Sequence, residues 1–282
     1  MKLIRFGEPG HERPGIVDPS GAIRALGALV DDISGEHLSR AALGRIAAVD
    51  PDSLPVVPPH VRIGPCVATV RNFISVGLNY VDHALESNAP IPPEPVLFNK
   101  LTSCVSGPDD PIVLMKGSEK TDWEVEVAMV IGEPAYLADE AEALSAVAGF
   151  CVCHDVSERE FQLERGGQWM KGKSGPTYGP LGPWLVTPDE LDVGNLDLWL
   201  DVNGQRMQTG NTARMIFSFA KIVSYISRFM KLMPGDVITT GTPRGVGMAM
   251  NPPRFLKAGD VVTLGVTGLG QQRQSVVPHR TV

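Results

Sequence analysis

Two glutamates separated by one residue stand at the start of an apolar run, in the segment TDWEVEVAMVIG. Side chains two residues apart on a β-strand project from the same face, so Glu124 and Glu126 would place two carboxylates side by side. Two like charges are costly to bury unless a cation neutralises them, and hard divalent ions prefer carboxylate oxygens as ligands. The pattern therefore indicates a metal site on this strand.

A third carboxylate, Asp155, ends another apolar run, AVAGFCVCHD, where a strand would emerge into a polar segment. Three carboxylates with no His or Cys partner at ligand spacing favour Mg²⁺ or Mn²⁺ over Zn²⁺. His154 would face the other side of its strand, so we interpret it as a structural residue beside the site. The alternative is an edge strand with a solvent-facing acidic side, which is the commoner meaning of Glu-x-Glu taken alone.

The elements that must position these carboxylates are mostly strands. Short apolar runs separated by Gly and Pro predict a mainly β fold with some α+β elements. Two segments have helical spacing instead, a short one at DEAEALSAV and a long one at about 212–232. The long helix should pack five side chains into the core, namely Met215, Phe219, Ile222, Ile226 and Phe229.

The first part of the chain has a different pattern from the rest. Residues 1 to about 55 contain two short strand patterns around a turn and the helical segment HLSRAALGRIAAV. The stretch 51–65 carries five prolines, which neither continue a helix nor sit inside a central strand. We therefore predict a small N-terminal domain with a proline-rich connection at 1–65, and a larger domain at 66–282.

Charge and hydropathy narrow the classes of partner. The chain of 282 residues has a formal charge of −7 and no run of Lys or Arg, which argues against binding to nucleic acid or to a membrane surface. We find neither an apolar stretch of the roughly 18 residues that a bilayer span needs nor an apolar signal core at the N-terminus. A cytoplasmic enzyme with a small-molecule substrate is the expectation.

Six segments, in order, resemble the fumarylacetoacetate hydrolase family, and together they extend over about 200 residues after the proline-rich stretch. They are GLNYVDHALE at 77–86, GSEKTDWEVEVAMVIG at 117–132, HDVSEREFQ at 154–162, GKSGPTYGPLGPWLVT at 172–187, PGDVITTGTPRGVG at 234–247 and LKAGDVVTLGVTGLG at 256–270. The resemblance implies a mixed β roll with a small N-terminal domain, a bound Mg²⁺ or Mn²⁺ ion and a homodimer.

Matched position by position, the resemblance implies three groups of site residues. The metal ligands would be Glu124, Glu126 and Asp155. The substrate-binding residues would be Arg159, Gln162, Gly241 and Thr242. The catalytic residues would be Lys173, beside the metal, and His83 and Glu86, on a lid segment.

His83 and Glu86 are three residues apart and would share one face of a helical lid. A carboxylate beside an imidazole favours its basic, oriented form, which suits activation of a water molecule against a carbonyl group. The alternative is that His83 is a surface histidine on a mobile loop.

Flanking segments narrow the resemblance. The runs FQLERGGQWMKGKS at 161–174 and GLGQQRQ at 268–274 resemble the branch that acts on 2,4-dioxo-3-deoxy sugar acids, such as 2,4-didehydro-3-deoxy-L-rhamnonate or L-fuconate. Such an enzyme would hydrolyse a carbon–carbon bond and release pyruvate and a 2-hydroxy acid. The alternatives on the same metal site are an oxaloacetate decarboxylase and a 2-hydroxyhepta-2,4-diene-1,7-dioate isomerase. A further alternative, of another class, is a catalytically inactive protein that binds a small molecule.

The chain departs from the family pattern at a few positions. His154 stands where the family usually has Asn, and Glu160 stands where it usually has Asp. Gly175 and Pro176 follow the GKS motif in place of the usual Phe or Cys and Asp. We expect these last two residues to change the wall of the pocket and thereby the substrate.

Overall fold

The computed structural model describes residues 1–86 and 90–279, in which strands predominate, so the mainly β prediction is confirmed. The strands are β1 (Lys2–Phe6), β2 (Arg13–Val17), β3 (Ile23–Ala25), β4 (Phe73–Gly77), β5 (Val96–Lys100), β6 (Val105–Ser106), β7 (Ile112–Val113), β8 (Thr121–Asp122), β9 (Val125–Ile131), β10 (Val147–His154), β11 (Ser157–Glu158), β12 (Gly179–Pro180), β13 (Leu185–Val186), β14 (Asp197–Val202), β15 (Gln205–Asn211), β16 (Val237–Thr239), β17 (Val261–Val266) and β18 (Gly270–Val277). The α-helices are α1 (Arg40–Ala47), α2 (Val81–Glu86), α3 (Glu140–Ala143), α4 (Met170–Lys173) and α5 (Phe219–Ser227). Within these residues, none of the helices has both the length and the apolar character needed to cross a membrane.

A nine-stranded sheet forms the centre of the protein, in the order β3-β2-β1-β13-β10-β9-β16-β4-β5. Every residue of β9 and β10 is buried, which explains why both strands appear in the sequence as continuous apolar runs. β9 pairs with β10 on one side and β16 on the other, both antiparallel. The alternative of an acidic edge strand is therefore wrong, because β9 lies inside the sheet.

A second sheet, in the order β15-β14-β17-β18-β7, packs against the central strands. Alternate residues of β14, including Leu198 and Leu200, are buried, as expected for a strand that turns one face to the core. From β15, the side chain of Gln208 accepts the backbone N–H of Val125 at 2.9 Å. This contact fixes the start of β9, next to the predicted metal ligands.

The N-terminal strands belong to the larger sheet. β1 pairs antiparallel with β2 and with β13, so the hairpin of β1 and β2 extends the sheet that holds β9 and β10. α1 lies within the predicted helical segment and begins after Ser39, whose side chain accepts the backbone N–H of Ala42. The division of the chain into domains at residue 65 stays a prediction.

The predicted helix at 212–232 is too long. The structure has a 3₁₀ turn at Thr212–Arg214 and then α5, which begins after the capping residue Ser218. Between them the backbone is held by Asn79, whose carbonyl accepts the N–H of Ile216 at 2.8 Å and whose side chain accepts that of Phe217 at 2.7 Å.

The predicted core stripe is consequently only partly correct. Phe219, Ile222 and Ile226 are buried in α5, as expected. Met215 lies before the helix, and Phe229, just beyond its end, is 63% exposed.

Candidate active site

Three carboxylates meet where β9 and β10 lie side by side. Glu124 precedes β9, Glu126 lies within it, and Asp155 follows β10 and donates its backbone N–H to the Glu124 carbonyl at 3.0 Å. One oxygen atom from each carboxylate lies within 4.8 Å of the other two, and all three side chains are buried. The fold thus brings the three predicted metal ligands together.

Two buried lysines contact this carboxylate cluster. Lys173 Nζ donates to Glu124 Oε2 at 2.8 Å and to Asp155 Oδ2 at 2.7 Å. Lys100, the last residue of β5, donates from Nζ to Asp155 Oδ1 at 2.6 Å. Lys100 was not predicted from the sequence. The sequence offers one indication of its role: Lys100 ends the mainly apolar segment VLFNK. A lysine that is buried with such a segment needs an anionic partner.

Arg159 links a metal ligand to its surroundings. Its Nη2 lies 2.7 Å from Glu124 Oε1, its Nε donates to Asp122 Oδ2 at 2.8 Å, and its Nη1 donates to Gln162 Oε1 at 3.1 Å. Asp122, another residue not predicted from the sequence, is fully buried and also accepts the backbone N–H of Gly247 at 2.7 Å. Two guanidinium nitrogens of Arg159 thus donate to protein groups, and the third lies at ion-pair distance from Glu124.

The two glutamates differ in their ionisation. Burial works against the charged form of Glu124, but Lys173 and Arg159 outweigh it and hold the pKa of this carboxyl well below its usual value. Burial, and then the charges of Asp155 and Glu124, raise the pKa of Glu126 well above its usual value. In the described part of the chain, Glu126 forms no ion pair with a basic side chain. A divalent ion fits this site, because it would supply the positive charge that Glu126 lacks.

The loop after β16 supplies backbone N–H groups to the site. Gly241 donates its N–H to Glu126 Oε2 at 2.8 Å, and its φ of +92° lies in the region that favours glycine. The hydroxyl of Thr242 donates to the Val125 carbonyl at 2.9 Å and accepts from Gln208 Nε2 at 2.8 Å. Gly241 and Thr242, two of the four predicted substrate-binding residues, therefore already donate these protons to protein groups, and their contact with substrate stays a prediction.

The helix α2 carries the predicted catalytic pair. His83 Nδ1 lies 3.0 Å from Glu86 Oε1, and Glu86 accepts the backbone N–H of Gly245 with both oxygens, at 2.8 and 2.9 Å. His83 is only 7% exposed, so the alternative of a surface histidine is wrong. Because Glu86 occupies Nδ1, Nε2 is the ring nitrogen left to exchange a proton.

These side chains line one cavity of about 150 Å³. Nine of the ten predicted site residues contribute to it, and the tenth, Glu86, supports His83. Apolar side chains complete the lining, among them Val76, Leu78, Phe98, Leu163, Trp169 and Met248. A larger, mainly apolar groove of about 490 Å³ lies beside α1, but no predicted site residue lines it. The smaller cavity is therefore the candidate active site.

The departures from the family pattern at His154, Gly175 and Pro176 lie outside this cavity. His154 is fully buried and its Nδ1 lies 3.0 Å from Gln274 Oε1, in agreement with a structural role. At Gly175 an added Cβ would lie 2.8 Å from the sulfur of Met115, so this position is closed by packing. Neither Gly175 nor Pro176 lines the cavity, and the expectation that they change its wall is wrong.

Comparisons with known proteins agree over nearly the whole chain. Residues 72–277 match the model of the fumarylacetoacetate (FAA) hydrolase C-terminal family. A protein of Burkholderia cenocepacia, provisionally named as a hydrolase, is 58% identical over 277 residues, which are 98% of each chain.

Solved structures with similar folds have different activities. Fumarylacetoacetate hydrolase from Exiguobacterium antarcticum superposes with a TM-score of 0.88 and 35% identity, over 99% of this chain and 100% of that one. 2-Hydroxyhepta-2,4-diene-1,7-dioate isomerase from Mycobacterium marinum gives 0.76 and 28%, over 100% of both chains. Maleylpyruvate hydrolase from Sphingobium sp. SYK-6, in complex with manganese(II) and pyruvate, gives 0.80 and 26%, over 99% of this chain and 100% of that one.

Proposed function

This chain belongs to the fumarylacetoacetate hydrolase family, and we propose that it is a metal-dependent hydrolase that cleaves a carbon–carbon bond of a 2,4-dioxo acid. The substrate that we propose is a 2,4-dioxo-3-deoxy sugar acid, which would give pyruvate and a 2-hydroxy acid. One observation carries the proposal: the carboxylate cluster and the His83–Glu86 pair serve the same small cavity. A metal site and a candidate base for water are then available to one substrate.

Glu124, Glu126 and Asp155 would hold Mg²⁺ or Mn²⁺, because a site made of carboxylate oxygens suits these hard ions. The maleylpyruvate hydrolase structure, which contains manganese(II) and pyruvate, supports this assignment by similarity. When bound, the ion would act as a Lewis acid for the negative charge that develops on the departing pyruvate.

The residues of the chain would divide the remaining work. His83, oriented by Glu86, would take a proton from water through Nε2 while the water oxygen attacks the C4 carbonyl. The bond between C3 and C4 then breaks, its electron pair forms the enolate of pyruvate, and a proton returned to C3 completes the products. Lys173 would place a positive charge beside this enolate.

Gln162 is suited to contact the substrate directly. Its Oε1 accepts a hydrogen bond from Arg159, which fixes the orientation of the amide and leaves Nε2 as a donor. Gln162 lines the cavity and is otherwise buried. We propose that Nε2 donates to an oxygen of the substrate, while Arg159 keeps Gln162 and Glu124 in place. The homodimer, the cytoplasmic location and the division at residue 65 also remain proposals.

The effect of His83→Ala tests the hydrolase mechanism. Formation of pyruvate from a 2,4-dioxo acid should fall by roughly 10² to 10⁴ fold, the range expected for loss of a general base. Metal affinity, measured by calorimetry, should change little. Decarboxylation of oxaloacetate needs no activated water and should fall much less. His11→Ala, at an exposed histidine, is the matched control and should behave like the wild type.

Each result assigns a different function. Equal losses of hydrolysis and decarboxylation would limit His83 to substrate binding or lid closure. Release of CO₂ without hydrolysis would favour the decarboxylase, and conversion of dienedioates without pyruvate would favour the isomerase, as in the Mycobacterium marinum structure. Binding without any turnover would identify a binding protein. Full activity in EDTA would refute the metal-dependent mechanism.

A further inference from the structure

The start of β9, next to the carboxylate cluster, extends beyond the neighbouring strand on one side. The pairing of β16 with β9 ends where Thr239 lies opposite Ala128. Beyond that point a side chain takes the place of the strand, because the hydroxyl of Thr242 donates to the carbonyl of Val125 at 2.9 Å. Buried backbone groups need such partners, so the residues that replace the ladder here determine how the start of β9 is held.

Three residues form a closed ring of hydrogen bonds at this point. The backbone N–H of Val125 donates to Gln208 Oε1 at 2.9 Å, Gln208 Nε2 donates to Thr242 Oγ1 at 2.8 Å, and the Thr242 hydroxyl returns to the Val125 carbonyl. Gln208 Nε2 also donates to the Pro243 carbonyl at 2.8 Å. All three ring residues are buried. Because an N–H only donates and a carbonyl only accepts, the orientation of the amide and of the hydroxyl is determined.

The ring encloses the residue that separates two predicted metal ligands. The N–H of Val125 belongs to the peptide unit that joins it to Glu124, and its carbonyl belongs to the unit that joins it to Glu126. Since peptide units are planar, hydrogen bonds to these two groups fix the orientation of both units. In the first unit, the Glu124 carbonyl also accepts the backbone N–H of Asp155 at 3.0 Å. The ring therefore acts on the backbone that carries all three carboxylates.

Gln208 belongs to the second sheet, and its strand packs closely against the loop after β16. An added Cβ at Gly245 would lie 2.0 Å from the carbonyl oxygen of Met207, the residue before Gln208 in β15. An added Cβ at Gly210, two residues after Gln208, would lie 2.4 Å from Cβ of Pro243. The loop thus contacts β15 on both sides of Gln208, which holds the amide of Gln208 in place beside the loop.

We infer that Gln208 is a positioning residue for the metal ligands, and that the hydroxyl of Thr242 completes the same ring instead of donating to the substrate. This inference rests on the metal site of the proposed function. Thr242 has one hydroxyl proton, and the Val125 carbonyl accepts it. A substrate carboxylate accepts hydrogen bonds only, so it would have to break the ring to bind this hydroxyl. Loss of the ring frees the peptide units beside Glu124 and Glu126, and metal affinity falls.

Calorimetric titration of Mn²⁺ into the substrate-free protein tests the inference. Thr242→Val keeps the shape of the side chain and removes the hydroxyl, and Gln208→Met keeps the length and removes the amide. Each should weaken Mn²⁺ binding by roughly 10 to 100 fold, the range for residues that orient metal ligands through hydrogen bonds. Thr242→Ser retains the hydroxyl and should bind Mn²⁺ like the wild type. Because the ring acts as one unit, the double variant should lose no more affinity than the weaker-binding single variant.

Thr212→Val is the matched control. The buried hydroxyl of Thr212 donates to the Val193 carbonyl at 2.8 Å and accepts the N–H of Leu196 at 2.8 Å, and Thr212 does not line the cavity. This variant loses the same kind of hydrogen bonds, so it should lower the midpoint of thermal unfolding and leave Mn²⁺ affinity unchanged. An equal loss of affinity in the control would overturn the inference, as would unchanged affinity in Thr242→Val and Gln208→Met.

Two further results would also overturn it. Losses that multiply in the double variant would show that Gln208 and Thr242 act separately. Weaker binding of pyruvate to Thr242→Val at saturating Mn²⁺, with unchanged Mn²⁺ affinity, would assign the hydroxyl to the substrate. A wild-type protein that binds no Mn²⁺ would instead refute the metal site of the proposed function, and the inference with it. Thermal unfolding checks the fold of each variant, and if one single variant does not fold, the other decides together with Thr242→Ser.

Discussion

Replacement of Lys100 by methionine removes one buried cation from the carboxylate cluster and keeps nearly the same side-chain length. Lys100 Nζ lies 2.6 Å from Asp155 Oδ1, and neither side chain is exposed to solvent. Loss of one partner of such a pair costs about 3–5 kcal/mol of unfolding free energy, because the other charge stays buried. Lys173 also contacts Asp155, so we expect the lower end, about 3 kcal/mol. For a chain of this size that lowers Tm by about 6–12 °C.

Lys221→Met is the matched control. Lys221 pairs with Glu140 at a similar distance, 2.9 Å, but the two side chains are 37% and 50% exposed. Solvent screens such a pair, and its loss should cost at most about 1 kcal/mol, or about 2–4 °C in Tm. The two variants thus make the same chemical change at different burial.

A metal ion should partly compensate the loss of Lys100, because it would supply positive charge to Asp155. Saturating Mn²⁺ should therefore raise Tm more in Lys100→Met than in the wild type. The measurement is thermal unfolding of wild type and both variants, in EDTA and in excess Mn²⁺. Equal decreases in the two variants would refute the argument from burial, and a Lys100→Met decrease that Mn²⁺ leaves unchanged would refute Asp155 as a metal ligand.

Three further predictions concern single carboxylates. Burial and the neighbouring carboxylates raise the pKa of Glu126, and a bound cation would favour its charged form, so metal binding should strengthen as pH rises. Calorimetry in buffers of different ionisation enthalpy should show proton release on metal binding, and Glu126→Gln should reduce that release. Asp122→Asn should lower the free energy of unfolding, measured in urea, by about 1.5–3 kcal/mol, because Arg159 loses a charged partner. An unchanged free energy of unfolding would mean that the Asp122–Arg159 pair does not stabilise the fold. Hydrogen bonds from Ser20 and Arg24 lower the pKa of Asp18 to about 2, so its contribution to stability is present above its usual pKa of 3.8 and is lost as pH falls through about 2. Asp18→Asn should flatten that part of the stability curve, and an unchanged curve would contradict the shift.

The carboxylate cluster was predictable because local geometry largely determines it. Glu126 lies on β9 and Glu124 directly before it, while Asp155 directly follows β10, the antiparallel neighbour of β9. The His83–Glu86 contact follows in the same way from helical spacing. Short-range periodicity therefore identifies pairs of site residues, while resemblance to the family was needed to join the pairs into one site.

Contacts between distant parts of the chain could not be predicted in this way. Lys100 meets Asp155 across 55 residues, and no local pattern indicates that the two strands bring them together. The length of α5 was wrong for a similar reason. The segment before it has apolar residues at helical steps, but the backbone N–H groups of Ile216 and Phe217 donate to Asn79, and these bonds hold the segment in another conformation.

The loop after β16 is where these long-range contacts converge. Its backbone N–H groups bind Glu126 through Gly241 and Glu86 through Gly245. An added Cβ at Gly245 would lie 2.0 Å from the carbonyl oxygen of Met207, and the φ of this residue is +103°, so both packing and backbone conformation require glycine here. Because Glu126 and Glu86 both accept N–H groups of this loop, a displacement of the loop should impair metal binding and water activation together. Loss of the His83 imidazole alone should impair only water activation.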